Sequence, residues 1–381
     1  MANEYQGYNE TTWARLATST LPDHIKDQEQ LWMRNYQMLA LLDANGRISF
    51  NHGGNGFDWP MRYKIHAAEG NTGETARNFT RINRDKIAAL PYRGYQATDA
   101  ISKLEYMANR GPAGITKIFD KLVNGIEESI KQALAVECYT DGTLAANSQS
   151  WHGLESIFGT PTQTFTINTN VARTANAADK TAVCNQTYAT INTAQGTYGG
   201  SQEGSTSWPD GIADSEYDFA SPLMVNATSS AFSPATHTFA GQGDEVLRYA
   251  ILASQRNTSV NTQITNVIMA RNYYNDFLNL IDNKEQLNIT GTPEGLRGLG
   301  FKNTVMFDGV ELSWEAAISN SVAYGFNYNN LELLSMEGTL FVPEGPTWDM
   351  DSQFWKAVVG TLSNFKMNNI RSMFKVYNIA A

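Results

Sequence analysis

Two cysteines, Cys138 and Cys184, are too few to staple a disulfide framework, and Cys138 falls on an apolar helical stripe as a small hydrophobe. A reducing compartment is therefore expected. No apolar run approaches the ~20 residues that a membrane span needs. The opening stretch MANEYQGYNETTWARLATST has no basic region followed by an apolar core, so neither ordinary export nor membrane insertion is expected. Charge is scarce as well: only 17% of the 381 residues are charged, while 42% are hydrophobic and 11% aromatic. Such a chain folds, and its surface, poor in Lys and Glu but furnished with Trp and Tyr, has the composition that partners bury. A secreted β-rich protein would share that composition.

The motifs of common chemistries are missing too. There is no Gly-x-x-x-x-Gly-Lys-Ser/Thr phosphate loop, no Gly-x-Ser-x-Gly elbow and no His-Glu-x-x-His pair. His24, His52, His66, His152 and His237 are scattered without ligand spacing. Glycines cluster between Gly295 and Gly300 in the wrong order for a dinucleotide fingerprint and read as a turn. Asp349 and Asp351 read as caps rather than as a cation site. No enzyme, no catalytic residue, no metal and no cofactor is expected.

What is present begins with Pro112 to Tyr139. Ile115, Ile118, Phe119, Leu122, Val123, Ile126, Ile130, Ala133, Leu134 and Cys138 recur at spacings of three and four, which makes one amphipathic helix. Gly111-Pro112 opens it and Asp141-Gly142 closes it. At 1.5 Å per residue it would run to roughly 40 Å. Lys117, Asp120, Lys121, Glu128 and Lys131 form the opposite face.

The net charge of −10 argues against a dedicated DNA-binding protein, which would show a basic face. The sign is uneven, however. Between Arg62 and Arg93 lie seven cations, Arg62, Lys64, Arg77, Arg81, Arg84, Lys86 and Arg93, against Glu69, Glu74 and Asp85. A solvated charged loop would account for them; as a positive segment on a negative body they are candidates for contact between copies. Met61 to His66 alternates apolar and polar residues, Gly70 to Gly73 supplies turn chemistry, and a β-compatible return runs from Ile87 to Tyr95. This hairpin offers few large apolar residues of its own, so it is expected to rest on another surface, in the same chain or in another copy, with charge and exposure favouring another copy.

Elsewhere, residues 1 to about 20 read as a docking arm, followed by a helix from Pro22 to Leu42 stopped by Asn45-Gly46. Thr98 to Asn109 reads as a short helix, and Trp151 to Phe158 as a turn with a short apolar segment. Thr160 to Asp210 is Thr-, Asn- and Gly-rich and implies short strands and loops. Ser221 to Val225 reads as a strand. Helices over Asp244 to Arg256 and Arg271 to Ile281 flank a buried strand, Asn266 to Met269, and a hairpin over Thr304 to Trp314 turns at Asp308-Gly309. Strands follow at Asn330 to Leu334, Thr339 to Val342 and Arg371 to Tyr377, with Gln353 to Gly360 a strand or short helix.

This order of elements resembles the major capsid protein of tailed bacteriophages with the HK97-type fold. The phrases that carry the resemblance are Trp151 to Phe158 after the helix, Tyr198-Gly199-Gly200 with Trp208-Pro209-Asp210-Gly211, Tyr217-Asp218-Phe219 with Ser221-Pro222-Leu223, and Asn266 to Ile281. It spans nearly the whole chain and implies an α+β fold: an N-terminal arm (1–45), an extended β-hairpin loop (46–105), and a peripheral domain (106–222) with a spine helix at 112–139 and an excursion at 160–215. An axial domain (223–320) and a return through the peripheral domain to a final axial strand (321–381) complete it. The function implied is a virion shell protein, made in host cytoplasm, that self-assembles as hexamers and pentamers into an icosahedral shell around double-stranded DNA contacted non-specifically. Its partners would include a portal and decoration proteins; the chain starts at the arm without a long helical extension, so any scaffold would be a separate protein or missing. Some members link a Lys to an Asn covalently; with Lys64 and Lys86 on the hairpin and Asn329 or Asn330 later, noncovalent packing is expected here. An encapsulin-like compartment shell would keep the fold, and a glycan-binding adhesin is the reading from another class.

Replacing Leu122 or Ile126 by Asp is expected to bury an unpaired charge and abolish folding rather than merely assembly. A soluble, folded Ile126→Asp subunit, detected by circular dichroism, would show the helix faces to be assigned wrongly.

Overall fold

In the computed structural model, which describes residues 36–66, 68, 70, 73, 79–108, 125–126, 128–159, 165–166, 172–173, 180–182, 184–200, 214, 216–232, 237–256, 262–282, 304–337, 339 and 342–378, the chain separates into two units. One takes the described residues of Gly94–Leu134 and Thr339–Thr361; the other takes those of Asn35–Arg93, Ala135–Gly338 and Leu362–Ala381. In chain order the elements begin with α1 (Gln37–Ala44), β1 (Ile48–His52), β2 (Phe57–Arg62), β3 (Asp85–Leu90), β4 (Arg93–Ser102) and α2 (Lys103–Ala108). A helix α3 follows, described over 125–126 and 128–137. Short strands come next: β5 (Phe165–Thr166), β6 (Ala172–Arg173), β7 (Thr181–Ala182), β8 (Thr187–Tyr188) and β9 (Ile191–Asn192). The remainder runs β10 (Leu223–Asn226), α4 (Phe239–Ser254), β11 (Asn266–Met269), α5 (Arg271–Asp282), β12 (Val305–Phe307), β13 (Val310–Trp314), β14 (Val322–Phe326), β15 (Leu331–Met336), β16 (Val342–Asp349), β17 (Phe354–Met367) and β18 (Phe374–Tyr377).

The larger unit is built on a seven-stranded mixed sheet in the order β12-β13-β11-β14-β18-β10-β7. All four residues of β10, β11 and β18 are buried, and strands covered on both faces read as continuous apolar runs rather than as alternations. On one face, Val225, Val267, Met269, Leu312, Phe374 and Val376 join Val246, Leu247 and Ile251 of α4 and Tyr273 and Phe277 of α5 in one core. Phe239 stacks on Tyr273 at 3.9 Å and 7°, tying the two helices together. Each such side chain fully removed from water contributes about 1.5–3 kcal/mol. In the same unit β1 runs parallel to β15, and β15 pairs antiparallel with the last part of β17, Leu331 opposite Met367. In the smaller unit, β16 and the first part of β17 form an antiparallel hairpin from Val342↔Gly360 to Asp349↔Phe354, with β4 also paired to β17.

The stripe of α3 is buried at Ile126, Ile130, Leu134 and Cys138, while Lys131 is exposed and Glu128 half-buried. Ile118, Leu122, Lys117, Asp120 and Lys121 lie outside the described residues. Beyond the helix, Trp151, Leu154, Ile157 and Phe158 are buried around a short 3-10 turn at Leu154–Ile157. The contact is set by Gly153: a Cβ there would lie 2.3 Å from the Glu137 carbonyl oxygen and 2.6 Å from that of Cys138. Only a glycine lets the returning backbone approach so closely. Leu154 N–H then donates to the Cys138 carbonyl at 2.8 Å, satisfying an orphan acceptor of the helix end.

Several expectations need correction. The helix stopped by Asn45-Gly46 ends there, with Gly46 at φ +62°, but its start before Tyr36 lies outside the described residues. The first hairpin strand spans Phe57–Arg62 and not Met61 to His66. Phe57, Trp59 and Met61 are the buried set, in step with the alternation from Met61, and Pro60 sits in a two-stranded ladder that tolerates it. Thr98 to Ser102 is strand, not helix, because pairing to β17 overrides its local propensity. The helix expected from Asp244 starts at Phe239, with a non-helical Gln242 inside it. Phe354 to Gly360 belongs to a 14-residue strand, while Gln353 sits in the turn before it at φ +55°. Most tellingly, Val322–Phe326, unread in the sequence, lies between β11 and β18 in the middle of the large sheet. Gly295 to Gly300 lies outside the described residues.

Gly153→Ala is expected to lower unfolding stability by about 3 kcal/mol, the upper end for overpacking, because backbone rather than a pliable side chain occupies the space. Urea titration followed by Trp fluorescence checks this, and an unchanged midpoint would contradict the close approach.

Candidate assembly surface

The hairpin pairs Phe57 with Leu90 through to Arg62 with Asp85, and Tyr63 N–H extends the ladder to the Arg84 carbonyl at 2.9 Å. Alternation then sorts its side chains. Phe57, Trp59, Met61, Ala88 and Leu90 turn inward, with Phe57 edge-on to Tyr92 at 4.6 Å. The base rests on its own chain: Ala89 N–H donates to the Ala189 carbonyl at 3.1 Å, and Lys366 Nζ lies 5.5 Å from the Trp59 ring centroid. Of the two surfaces open to it, its own chain therefore supports the base of the hairpin. Outward, Ile65, Phe79 and Ile87 are exposed, Phe79 by 90%.

The seven cations divide by partner. Lys64 Nζ binds Glu216 at 3.0 Å, and Lys86 donates to Tyr198 Oη at 3.3 Å while lying 4.4 Å from that ring's centroid. Arg93 donates to the carbonyls of Asn147 and Gly142 at 3.2 and 3.4 Å, and partial burial lowers its pKa. Arg62 lies 3.7 Å from Asp85 in a pair exposed enough to contribute little. Arg81 and Arg84 are exposed; Arg77 lies outside the described residues. So Lys64, Lys86 and Arg93 serve the chain's own fold, and Arg62, Arg81 and Arg84 face outward.

Behind the first strand is a groove of about 510 Å³. Trp59, Met61, Arg62, Tyr63 and Ile65 form one wall, and Phe219, Lys366, Asn368, Asn369 and Arg371 the other. The second wall is placed by a buried carboxylate. Asp218 accepts from Arg256 Nε at 3.0 Å and lies 3.7 Å from Arg371. Arg256 also donates to the carbonyls of Ser221 at 2.6 Å and Arg371 at 3.2 Å. Burial lowers the Arg256 pKa and Asp218 opposes that fall. Phe219, beside Asp218, meets Tyr63 at 5.5 Å and Tyr198 at 5.2 Å. Phe219, Lys366 and Arg371 were not predicted as site residues; the one pointer was Tyr217-Asp218-Phe219, an acid between two aromatics.

A second buried carboxylate joins three elements. Glu315 accepts from Tyr139 Oη at 2.6 Å and Met38 N–H at 3.3 Å. Burial pushes its pKa up to about 7, against the pull of those two bonds, and burial likewise raises Tyr139. Tyr139 stacks on Tyr324 at 5.7 Å, and Tyr324 Oη donates to Glu155 at 2.7 Å, whose other oxygen takes Lys375. His152, buried beside Asn364, has its pKa lowered to about 4 by desolvation, with Arg93 adding to the fall, so it is neutral at pH 7. Cys138 and Cys184 are buried free thiols whose pKa values burial raises. Asn330 is buried and donates to Ser372 Oγ at 3.4 Å, while Asn329 accepts from Arg47. Asp349 organises a turn, accepting from Asp351 N–H at 3.0 Å and Ser352 Oγ at 2.8 Å. Among the described residues no three His, Cys, Asp or Glu side chains are grouped to hold a metal ion, and no helix is long and apolar enough to cross a membrane.

No protein-family model matches the sequence, and no curated protein does. Solved structures do. A chain of the cyanophage A-1(L) capsid asymmetric unit is 15% identical with a TM-score of 0.58, over 93% of this chain and 96% of that one. A chain from the capsid of a native GTA particle is 10% identical with a TM-score of 0.53, over 96% and 99%. The fold is that of phage capsid proteins. Within this capsid fold, the mixed helix and sheet arrangement extends over nearly the full length of both neighbours.

Glu315 gives the molecule a pH signature. Its folded pKa of about 7 lies above the ordinary carboxylate value, so the native state binds the proton more tightly and stability falls as pH rises between about 4.5 and 7. The loss is on the order of 3 kcal/mol. Glu315→Gln keeps the two acceptor contacts and is expected to flatten that dependence; urea midpoints at pH 5 and 8 that differ as much as in wild type would contradict it.

Proposed function

We propose that this chain is a major capsid protein with the HK97-type fold, which self-assembles as hexamers and pentamers into an icosahedral shell around the double-stranded DNA of a tailed phage. The observation that carries this reading is the capsid fold, matched over more than nine-tenths of this chain and of both neighbours. Fold alone does not make function. The hairpin adds to it: one face is used up against its own chain, while Ile65, Phe79, Ile87, Arg62, Arg81 and Arg84 stand exposed. Aromatic and aliphatic side chains mixed with arginine are the composition of a surface that a partner covers.

On this reading the arm is 1–45, the extended hairpin loop 46–105, the peripheral domain 106–222 with its spine helix, the axial domain 223–320, and 321–381 the return to a final axial strand. Arg62, Arg81 and Arg84, with Arg77, contact neighbouring subunits. The DNA is contacted non-specifically, since the net charge is −10. The portal, and any scaffolding or decoration proteins, are separate chains. The protein resides in the virion and, before assembly, in host cytoplasm, and its work is structural rather than catalytic.

Electron microscopy of the expressed protein is expected to show closed shells; monomers persisting at all salt concentrations, with or without phage partners, would overturn the reading. Boiling the particles in detergent is expected to release free monomers. Covalent ladders would instead show the subunits to be crosslinked.

A further inference from the structure

The groove behind the hairpin and the tip of the β16–β17 hairpin have matching chemistry. The groove has an aromatic and apolar lining, Trp59, Met61, Tyr63 and Phe219, with Arg62, Lys366 and Arg371 beside it, and no carboxylate among its lining residues. The indole N–H of Trp59, in a residue more than nine-tenths buried, has no acceptor among the described residues. Its volume, about 510 Å³, falls in the range of sites that enclose a ligand group.

The tip is an apolar side chain beside an acid. Met350 is 82% exposed, and Asp351 beside it is exposed. Asp349 spends its carboxylate inside the turn, on Asp351 N–H, Ser352 Oγ and Lys356. Beneath it Trp348 and Trp355 pack at 5.3 Å, and Tyr106 meets Trp355 at 5.7 Å. The loop is thus held in one shape, which lowers the entropy cost of docking.

We propose that the groove receives the Met350–Asp351 tip of a second copy of this chain, Met350 against the aromatic wall and Asp351 among Arg62, Lys366 and Arg371. A flexible thioether suits an aromatic-lined recess. The three cations already have partial partners, Asp85, Glu332 and Asp218, so the charges orient the tip while burial of Met350 supplies most of the attraction. The inference rests on the shell reading, because only a many-copy assembly brings groove and tip of different copies together throughout.

The test uses the full chain carrying Ile65→Cys and Met350→Cys, two exposed positions; the native Cys138 and Cys184 are buried. Assembled particles are oxidised and run on non-reducing gels. Disulfide-linked multimers that collapse on reduction are expected from the double variant only, since a disulfide demands close Cβ atoms. Particles without crosslinks overturn the docking and leave the shell intact. Dimers from Met350→Cys alone mean that tips meet tips, and a fast-migrating crosslinked monomer means that the tip seats in its own chain; either overturns the inference. Absence of particles from the wild-type chain removes the shell reading, and this inference with it. Should only the cysteine variant fail to assemble, a charge swap decides: Asp351→Lys lowers particle yield about tenfold and adding Arg62→Glu restores it. Failure to restore overturns the docking.

Discussion

A carboxylate sealed away from water, Asp218, is the constraint on which much of the larger unit depends. Its oxygens lie 3.0 Å from Arg256 and 3.7 Å from Arg371, and Arg256 reaches onward to the backbone at Ser221 and Arg371. A buried charge is tolerated only when paired and hydrogen-bonded, and removing one partner typically costs about 3–5 kcal/mol. This network joins the segment before β10, the end of α4 and the turn before β18, three stretches far apart in sequence. It thereby sets Phe219 and Arg371 on one wall of the groove, opposite the hairpin strand that supplies the other.

The hairpin illustrates how one element divides its work. Period-two alternation sends Phe57, Trp59 and Met61 into the chain's own core, and the opposite side keeps Arg62 and Ile87 outside. Cations near its base have become structural through local partners: Lys64 with Glu216, Lys86 over Tyr198, Arg93 on backbone carbonyls. A run of positive charge therefore does not translate into a uniformly positive surface.

The end of α3 and the turn that follows show the same economy by backbone contact. Gly153 lets the chain fold back against Glu137 and Cys138, and Trp151, Leu154 and Phe158 are buried as a result. Tyr139, one residue past that helix's last apolar position, donates to Glu315, which also takes Met38 N–H. Helix end, N-terminal helix and large sheet are therefore linked through a single acid that burial holds near neutrality.

The sequence alone determined the elements whose signals are local: Asn266–Met269 as a buried strand, Arg271 to Ile281 as a helix, the Asp308-Gly309 turn, and the stripe Ile126, Ile130, Leu134 and Cys138. Periodicity and turn chemistry lie within a few residues and need no distant partner. The order of these elements was enough to suggest a capsid fold. Tertiary structure decided the rest. Val322–Phe326, with Gly325 inside it, becomes a mid-sheet strand only because β11 and β18 pair on either side. Thr98 to Ser102 extends because β17 is there to pair with it. Of the seven cations, which ones face outward depended on Glu216, Tyr198 and Asn147, residues 54 to 152 positions away in the chain. The groove needed Phe219, Lys366 and Arg371 brought beside Trp59 by a buried Asp218. No local pattern encodes such a meeting, because its stabilisation arises from desolvated contacts between segments that are neighbours only after folding.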